Sequence, residues 1–251
     1  MKNKKKNEFI IKYLIQLVFW LGIWELISLL VASPVLVPSP VRVLKRASEL
    51  VFDVFFWQLF LNAFTHVFLG LIIGLALGLV LGLLAYYNKQ VKWIVDPFID
   101  FIKTTPVAAL IIILLLWFSA KSISTILVVL VIFPNIYLNI LAELRDVDSD
   151  IVELMEVYKV GHGSRFRYVY LPLAMNSIYK NLSFALGFGW KSGISGEIMA
   201  QVKNTYGNQI YLSKIYLETD SLLAYVILLI LLSTLIEKLI LLIIDRAINH
   251  D

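Results

Sequence analysis

The 251-residue sequence contains no cysteine. Disulfides, thiolate nucleophiles and cysteine-based metal centres are therefore excluded. Histidine is scarce: His66, His162 and His250 lie far apart in the chain, so no metal site is expected. Charge is also thin, at 16% Asp, Glu, Lys and Arg, where soluble domains carry about 25%. No phosphate-binding loop of the form G-x-x-x-x-G-K-S/T occurs, so the chain carries no nucleotide motor of its own. The net charge of +4 would suit a nucleic-acid partner in a soluble protein. Here the basic residues read instead as loop charges that orient membrane spans.

Apolar residues are abundant, at 60% of the chain. Several runs approach the ~20 residues that cross a bilayer. The expected fold is an all-α polytopic membrane protein, one transmembrane domain over residues 1–251. Six transmembrane helices are expected at about 10–32, 64–87, 94–118, 122–143, 173–200 and 221–244. The lysine-rich start followed by the run Phe9–Ala32 resembles a signal peptide. That run is too long for a typical signal core and reads as an uncleaved first span.

Lys and Arg set the orientation. With the N-terminus inside, the inner side holds Lys2, Lys4, Lys5, Lys6, Lys12, Lys89, Lys92, Arg145, Lys159, Arg165, Arg167 and Arg246. The outer side holds only Arg42, Lys45, Arg46, Lys121, Lys203 and Lys214. This bias places both termini in the cytoplasm of a plasma-membrane protein.

Two outer segments, 38–60 and 203–220, read as amphipathic. In the first, Ser39 is a candidate cap with Pro40 at the first helical position. Val41, Leu44, Ala47, Ser48 and Val51 recur at helical spacing and suggest a helix lying on the outer surface. The second span carries Gly70, Gly74, Gly78 and Gly82 on one face. Such a face lets another helix approach closely. It reads as tight static packing ahead of a sliding surface.

Arg145–Pro172 is too charged for hydrocarbon, yet it carries the pattern of folded structure. Asp150 is a candidate helix cap with Glu153 three residues on. Val152, Met155 and Val157 give an apolar side, and Gly161 and Gly163 are expected to end the helix. Such a helix either docks a soluble partner or tucks against the bundle.

Ionisable residues inside a membrane are costly and invite functional readings. Lys191 and Glu197 lie in the fifth span but not on one face. With Trp190, Ser192, Ser195 and nearby glycines they suggest a polar surface, Lys191 attracting an anion. The alternative is an ion pair or hydrogen bond between helices. Lys103, Thr104, Thr105 and Pro106 interrupt the third span, where Pro106 is expected to kink the helix. The kink either lines a polar path or serves packing. Pro134, Asn135 and Asn139 interrupt the fourth span, and packing is favoured there. Glu25, Lys180, Glu237 and Lys238 read as structural.

The charged segment resembles the "EAA" loop of ABC importer permeases, E-A-A-x3-G-x9-I-x-L-P. Glu153 takes the Glu position, and Val169, Leu171 and Pro172 take the I, L and P positions. Leu154 and Met155 replace the alanines, and Lys159 stands at the usual loop glycine. "WELI" (24–27), "PSPVRVL" (38–44), "KTTPVAALIIILLLWF" (103–118) and "WKSGISGEIMA" (190–200) resemble the nitrate/sulfonate/taurine branch, in the expected order. The resemblance implies a type I importer permease: a transport subunit, not an enzyme, moving a nitrate, sulfonate, taurine or vitamin-precursor solute. It implies a second permease copy, two ABC ATP-binding subunits and an extracytoplasmic solute-binding protein. ATP and Mg would be bound by the partner ATPase, with no cofactor on this chain. Glu153, Leu154, Met155, Val157, Tyr158, Lys159, Gly161 and Gly163 become the candidate ATPase-coupling residues. Lys103, Thr104, Thr105, Pro106, Trp190, Lys191, Ser195 and Glu197 become the candidate translocation pathway.

A competing class is a rhomboid-like intramembrane serine protease, with Ser195 of "GISG" as nucleophile. It needs a base within hydrogen-bond reach: the only later histidine is His250, and Lys191, four residues before Ser195, is the alternative. A non-transporting, permease-like sensor is the third reading.

Overall fold

A computed structural model describes the backbone of residues 2–248 and the side chains of 11–246 other than Tyr13. Among the described residues there are helices and no strands. The chain divides into two compact units, residues 1–58 with 208–231, and residues 59–207 with 232–251.

In the first unit, α1 (Lys2–Val31) ends at Ala32, which takes a left-handed φ of 49°. The Trp24 indole donates to the Pro38 carbonyl at 3.0 Å and the Ser28 hydroxyl to the Val37 carbonyl at 2.9 Å, so the proline turn folds back on α1. α2 (Pro40–Val51) starts as the sequence indicates, with the Arg42 amide donating to the Ser39 side chain and Pro40 in the first turn. Its buried side is Val43, Ala47 and Leu50, while Val41 and Leu44 are exposed. The helix thus buries one apolar side against the protein and leaves Val41, Leu44 and Val51 of the expected surface stripe exposed. The amphipathic segment is also shorter than 38–60, because α3 (Val54–Tyr87) already begins at Val54, its first turn bonded to Asp53. α10 (Tyr206–Ile215) falls within the second expected segment, and α11 (Thr219–Ile248) follows. The Arg46 guanidinium donates to the Ser221 hydroxyl at 2.9 Å, tying α2 to the start of α11.

The second unit is built around α6 (Ile123–Arg145). Pro134 sits inside this helix without breaking it, so the expected interruption of the fourth span is absent. α3 lies on α6 through its glycine face. A Cβ on Gly70 would meet Val128 at 2.7 Å, one on Gly74 Ile132 at 3.1 Å, one on Gly78 Ile136 at 2.7 Å and one on Gly82 Ile140 at 3.0 Å. The two four-residue ladders rise together, so α3 and α6 run parallel. Between them come α4 (Lys89–Thr104) and α5 (Val107–Trp117). α5 packs Ile111 and Leu114 on Ile123 and Leu127 at the start of α6, whereas α4 packs Ile99 on Phe133, Tyr137 and Leu141 further along. The pair thus returns the chain along α6 in reverse. The break expected at Pro106 is present and sharp: α4 and α5 are bent by 114° at Thr105–Pro106, as in a broken span or a re-entrant turn. Pro106 has no amide with which to continue the α4 ladder, and the Thr105 backbone before it is extended.

α9 (Leu171–Ala200) runs antiparallel to α6, with Gly193 beside Ser124 and Asn181 beside Asn139. α11 runs antiparallel to α9, with the Ser183 hydroxyl on Glu237 and the Tyr179 hydroxyl on Asp245. Among the described residues, four helices are long and apolar enough to cross a membrane, within 14–31, 54–87, 120–145 and 219–246, or five counting the bent pair as one. The expected fifth span, α9, has the length but not the apolarity, because Asn, Ser, Gly and Lys are mixed along it.

Candidate functional site

The charged segment folds as helix, turn, helix. α7 (Ser149–Val157) is capped by Asp148, whose carboxylate accepts from the Asp150 amide at 2.9 Å. The cap is therefore two residues upstream of the expected Asp150, which instead places its charge in the first turn, where the helix dipole favours it. The helix ends in a Schellman turn. The Val160 amide donates to the Met155 carbonyl at 2.9 Å and the Lys159 amide to the Glu156 carbonyl at 3.0 Å. Such a turn requires one left-handed residue, and that residue is Lys159, with φ 49°. The two glycines expected to make the turn do not: neither has positive φ, and Gly161 instead precedes α8 (His162–Arg165), which contains Gly163.

Arg165 holds the turn from the far side. Its Nε donates to the Val160 carbonyl and one terminal nitrogen to the Met155 carbonyl, both at 2.9 Å. A cation thus adds a second donor to the Met155 carbonyl and caps the Val160 carbonyl, at a helix end where the dipole also favours it. A π-helical turn, Phe166–Tyr170, leads into α9. The Tyr170 ring lies 5.1 Å from Tyr86 and 5.6 Å from Tyr87 at the end of α3.

On α7 only Met155 is buried and acts as the anchor. Ile151, Leu154, Val157 and Tyr158 are exposed, Tyr158 by 77%, alongside Glu153 and Lys159. An apolar helix face left open on an otherwise charged segment has the form of a docking surface.

A second site is a cavity of about 410 Å³ where α4, α5, α6 and α9 meet. Lys103, Thr105, Asn135, Asn139, Phe184 and Phe188 are among its lining residues. The Asn139 amide donates to Asn135 at 2.6 Å and to Asn181 at 3.1 Å, and Asn181 donates to the Ser177 carbonyl at 2.8 Å. The Thr105 and Thr104 hydroxyls turn back onto carbonyls of α4. Lys103 makes no ion pair among the described residues. Asn135 and Asn139, assigned to packing from the sequence, therefore belong to this polar wall. Their polar side chains in a spanning helix were the available signal.

The remaining pathway candidates separate. Lys191 and Ser195 are exposed on one face of α9, and the Ser195 hydroxyl donates to the Lys191 carbonyl at 2.7 Å. Trp190 is buried and stacked on Phe60 at 5.5 Å. Glu197 is buried too, and its carboxylate accepts from the Gly207 amide at 2.9 Å. No histidine is brought to Ser195 among the described residues. His66 bonds Thr125 at 3.3 Å, His162 lies in α8, and His250 lies outside the described residues.

Helices of membrane-spanning length and apolarity beside a cavity with polar side chains in its wall fit a transport subunit. The chain belongs to the family of binding-protein-dependent transport system inner membrane components, whose model matches residues 74–250. This is the type I ABC importer permease fold, a transport subunit rather than an enzyme, and the family implies ATPase and substrate-binding partners. The chain is similar to a protein of Bacillus subtilis named as an aliphatic sulfonates transport permease, 26% identical over 222 residues, 88% of this chain and 80% of that protein. A protein of the same name in Escherichia coli is 30% identical over 146 residues, 57% of this chain and 55% of that protein. A taurine transport system permease protein of Escherichia coli is 26% identical over 148 residues, 59% of this chain and 54% of that protein.

Proposed function

We propose that this chain is the membrane gate of an importer for small sulfonated organic anions, aliphatic sulfonates or taurine. The named relatives support that substrate class. The observation that carries it to this chain is the composition of the cavity. A sulfonate is a compact anion on a short, mostly apolar stem. Lys103 offers it an unpaired cation, Asn135 and Asn139 offer amide groups, and Phe184 and Phe188 offer an apolar wall.

Force is applied at the other site. The exposed face of α7 docks on an ABC ATP-binding subunit, which binds ATP and Mg while this chain holds no cofactor. Two copies of the chain form the pore, and an extracytoplasmic binding protein delivers the solute. Alternating directions along α3, α4–α5, α6, α9 and α11 support five crossings, and the apolar run of α1 supplies a sixth, which would put both termini in the cytoplasm. The Lys and Arg bias supports the same orientation.

The test is uptake of radiolabelled taurine and alkanesulfonates by cells expressing the chain with its ATPase and binding protein. Lys103→Gln is expected to lower uptake about tenfold, the scale of ~1.4 kcal/mol. Absence of sulfonate uptake by the wild type, or full uptake by Lys103→Gln, contradicts the reading.

A further inference from the structure

A second cavity, of about 490 Å³, lies where the end of α3, the start of α4 and the end of α6 converge. Lys89, Lys92 and Arg145 line it, with Trp93 and a single carboxylate, Asp96. That carboxylate is already engaged: Lys92 pairs with it, and the Tyr137 hydroxyl donates to it at 2.7 Å. Lys89 and Arg145 make no side-chain hydrogen bond or ion pair among the described residues. The cavity therefore sets three cations against one carboxylate. It also sits at the first turn of α4, a 16-residue helix whose amide dipole adds to the positive potential. The geometry calls for an anion.

The surface beside the cavity indicates which anion. Trp93 is 78% exposed, and Ile94, Phe98 and Phe101 continue an exposed apolar stripe along α4. In a membrane-spanning chain, tryptophan marks the headgroup level and such a stripe faces acyl chains. A basic pocket with an aromatic rim and an apolar track below it has the chemistry of a phospholipid: phosphate in the pocket, chains on the stripe.

We propose that Lys89, Lys92 and Arg145 form a binding site for the headgroup of an anionic phospholipid at the end of the bundle that also carries α7. Arg145 lies four residues before α7. A bound lipid would therefore brace the junction between the pore helix α6 and the helix assigned to ATPase docking. The lipid site itself does not depend on the substrate assignment.

The experiment is thermal unfolding of the full chain in neutral detergent, titrated with phosphatidylglycerol, phosphatidylcholine or inorganic phosphate. Lys89→Gln with Arg145→Gln removes only the two unpaired cations and leaves the Lys92–Asp96 pair intact. Phosphatidylglycerol is expected to stabilise the wild type, while phosphatidylcholine and phosphate are not. Each cation removed should weaken the half-effect concentration about fivefold. Lys121→Gln with Lys203→Gln removes two other cations and should leave it unchanged. If the double variant does not fold, each single variant carries the same fivefold expectation. An undiminished lipid response in the variants overturns the proposal, as does an equal response to phosphatidylcholine. An equal response to free phosphate shows an inorganic anion site and overturns the lipid assignment. Loss of self-association in the double variant shows that a second copy occupies the face, and overturns it as well.

Discussion

The glycine face of α3 and the glycine-containing loop after α7 look alike in sequence, as clusters of residues without side chains. They behave oppositely. On α3 the glycines are needed for space, because a Cβ at Gly70 or Gly78 would sit 2.7 Å from atoms of α6. In the loop, a Cβ at Gly161 or Gly163 would meet nothing within 4 Å, and neither residue has positive φ. The residue there with a left-handed backbone is Lys159. Glycine can relieve crowding or permit a left-handed turn, and in this chain only the first use occurs.

The largest effect expected from breaking this contrast is at Gly78. Gly78→Val forces two methyl groups into Ile136 and should cost about 2–3 kcal/mol by overpacking. Loss of monodisperse protein in detergent, or a lowered unfolding temperature, reads it out. Gly163→Val in the open loop should leave both unchanged.

Arg165→Ala comes next. It strips the guanidinium from the Met155 and Val160 carbonyls and should cost the loop about 1–2 kcal/mol. Hydrogen exchange should accelerate over residues 155–166, while the α3–α6 seam stays protected. Uptake should fall through weakened coupling, not through lost membrane insertion.

The smallest effect has the opposite sign. Lys159→Gly removes the strain of a side chain at φ 49° and should stabilise the turn by about 1 kcal/mol. Slower exchange at the Val160 amide measures it. Gly161→Ala, made in parallel, should change the same amide little.

Which features were legible in the sequence follows from the range over which each acts. Helix starts set by neighbours were readable, as with Ser39 and Pro40 before α2. The α7 cap was misplaced by two residues because Asp148 and Asp150 are chemically equivalent candidates in the run "DVDSD". Pro106 announced a break in the third span, but no local rule gives the 114° angle, which depends on what both halves pack against. The four-residue period of the α3 glycines was visible, and its partner ladder on α6 was not. Arg165 reaches carbonyls up to ten residues back, and Asn181 meets Asn139 across 42 residues. Neither pairing has a sequence signature, so one lock of the turn after α7 and part of the cavity wall stayed hidden. Trp190 and Glu197 attracted attention as polar or aromatic residues in a span, and the structure gives both of them buried partners.

The account depends most on α7 facing the cytoplasm with its apolar side open to a partner. The cysteine-free sequence permits a direct measurement. A single cysteine at Leu154 can be probed with a membrane-impermeant maleimide in right-side-out and inside-out vesicles. The account predicts labelling only in inside-out vesicles, and protection when the ATP-binding subunit is added. Labelling in right-side-out vesicles would contradict it.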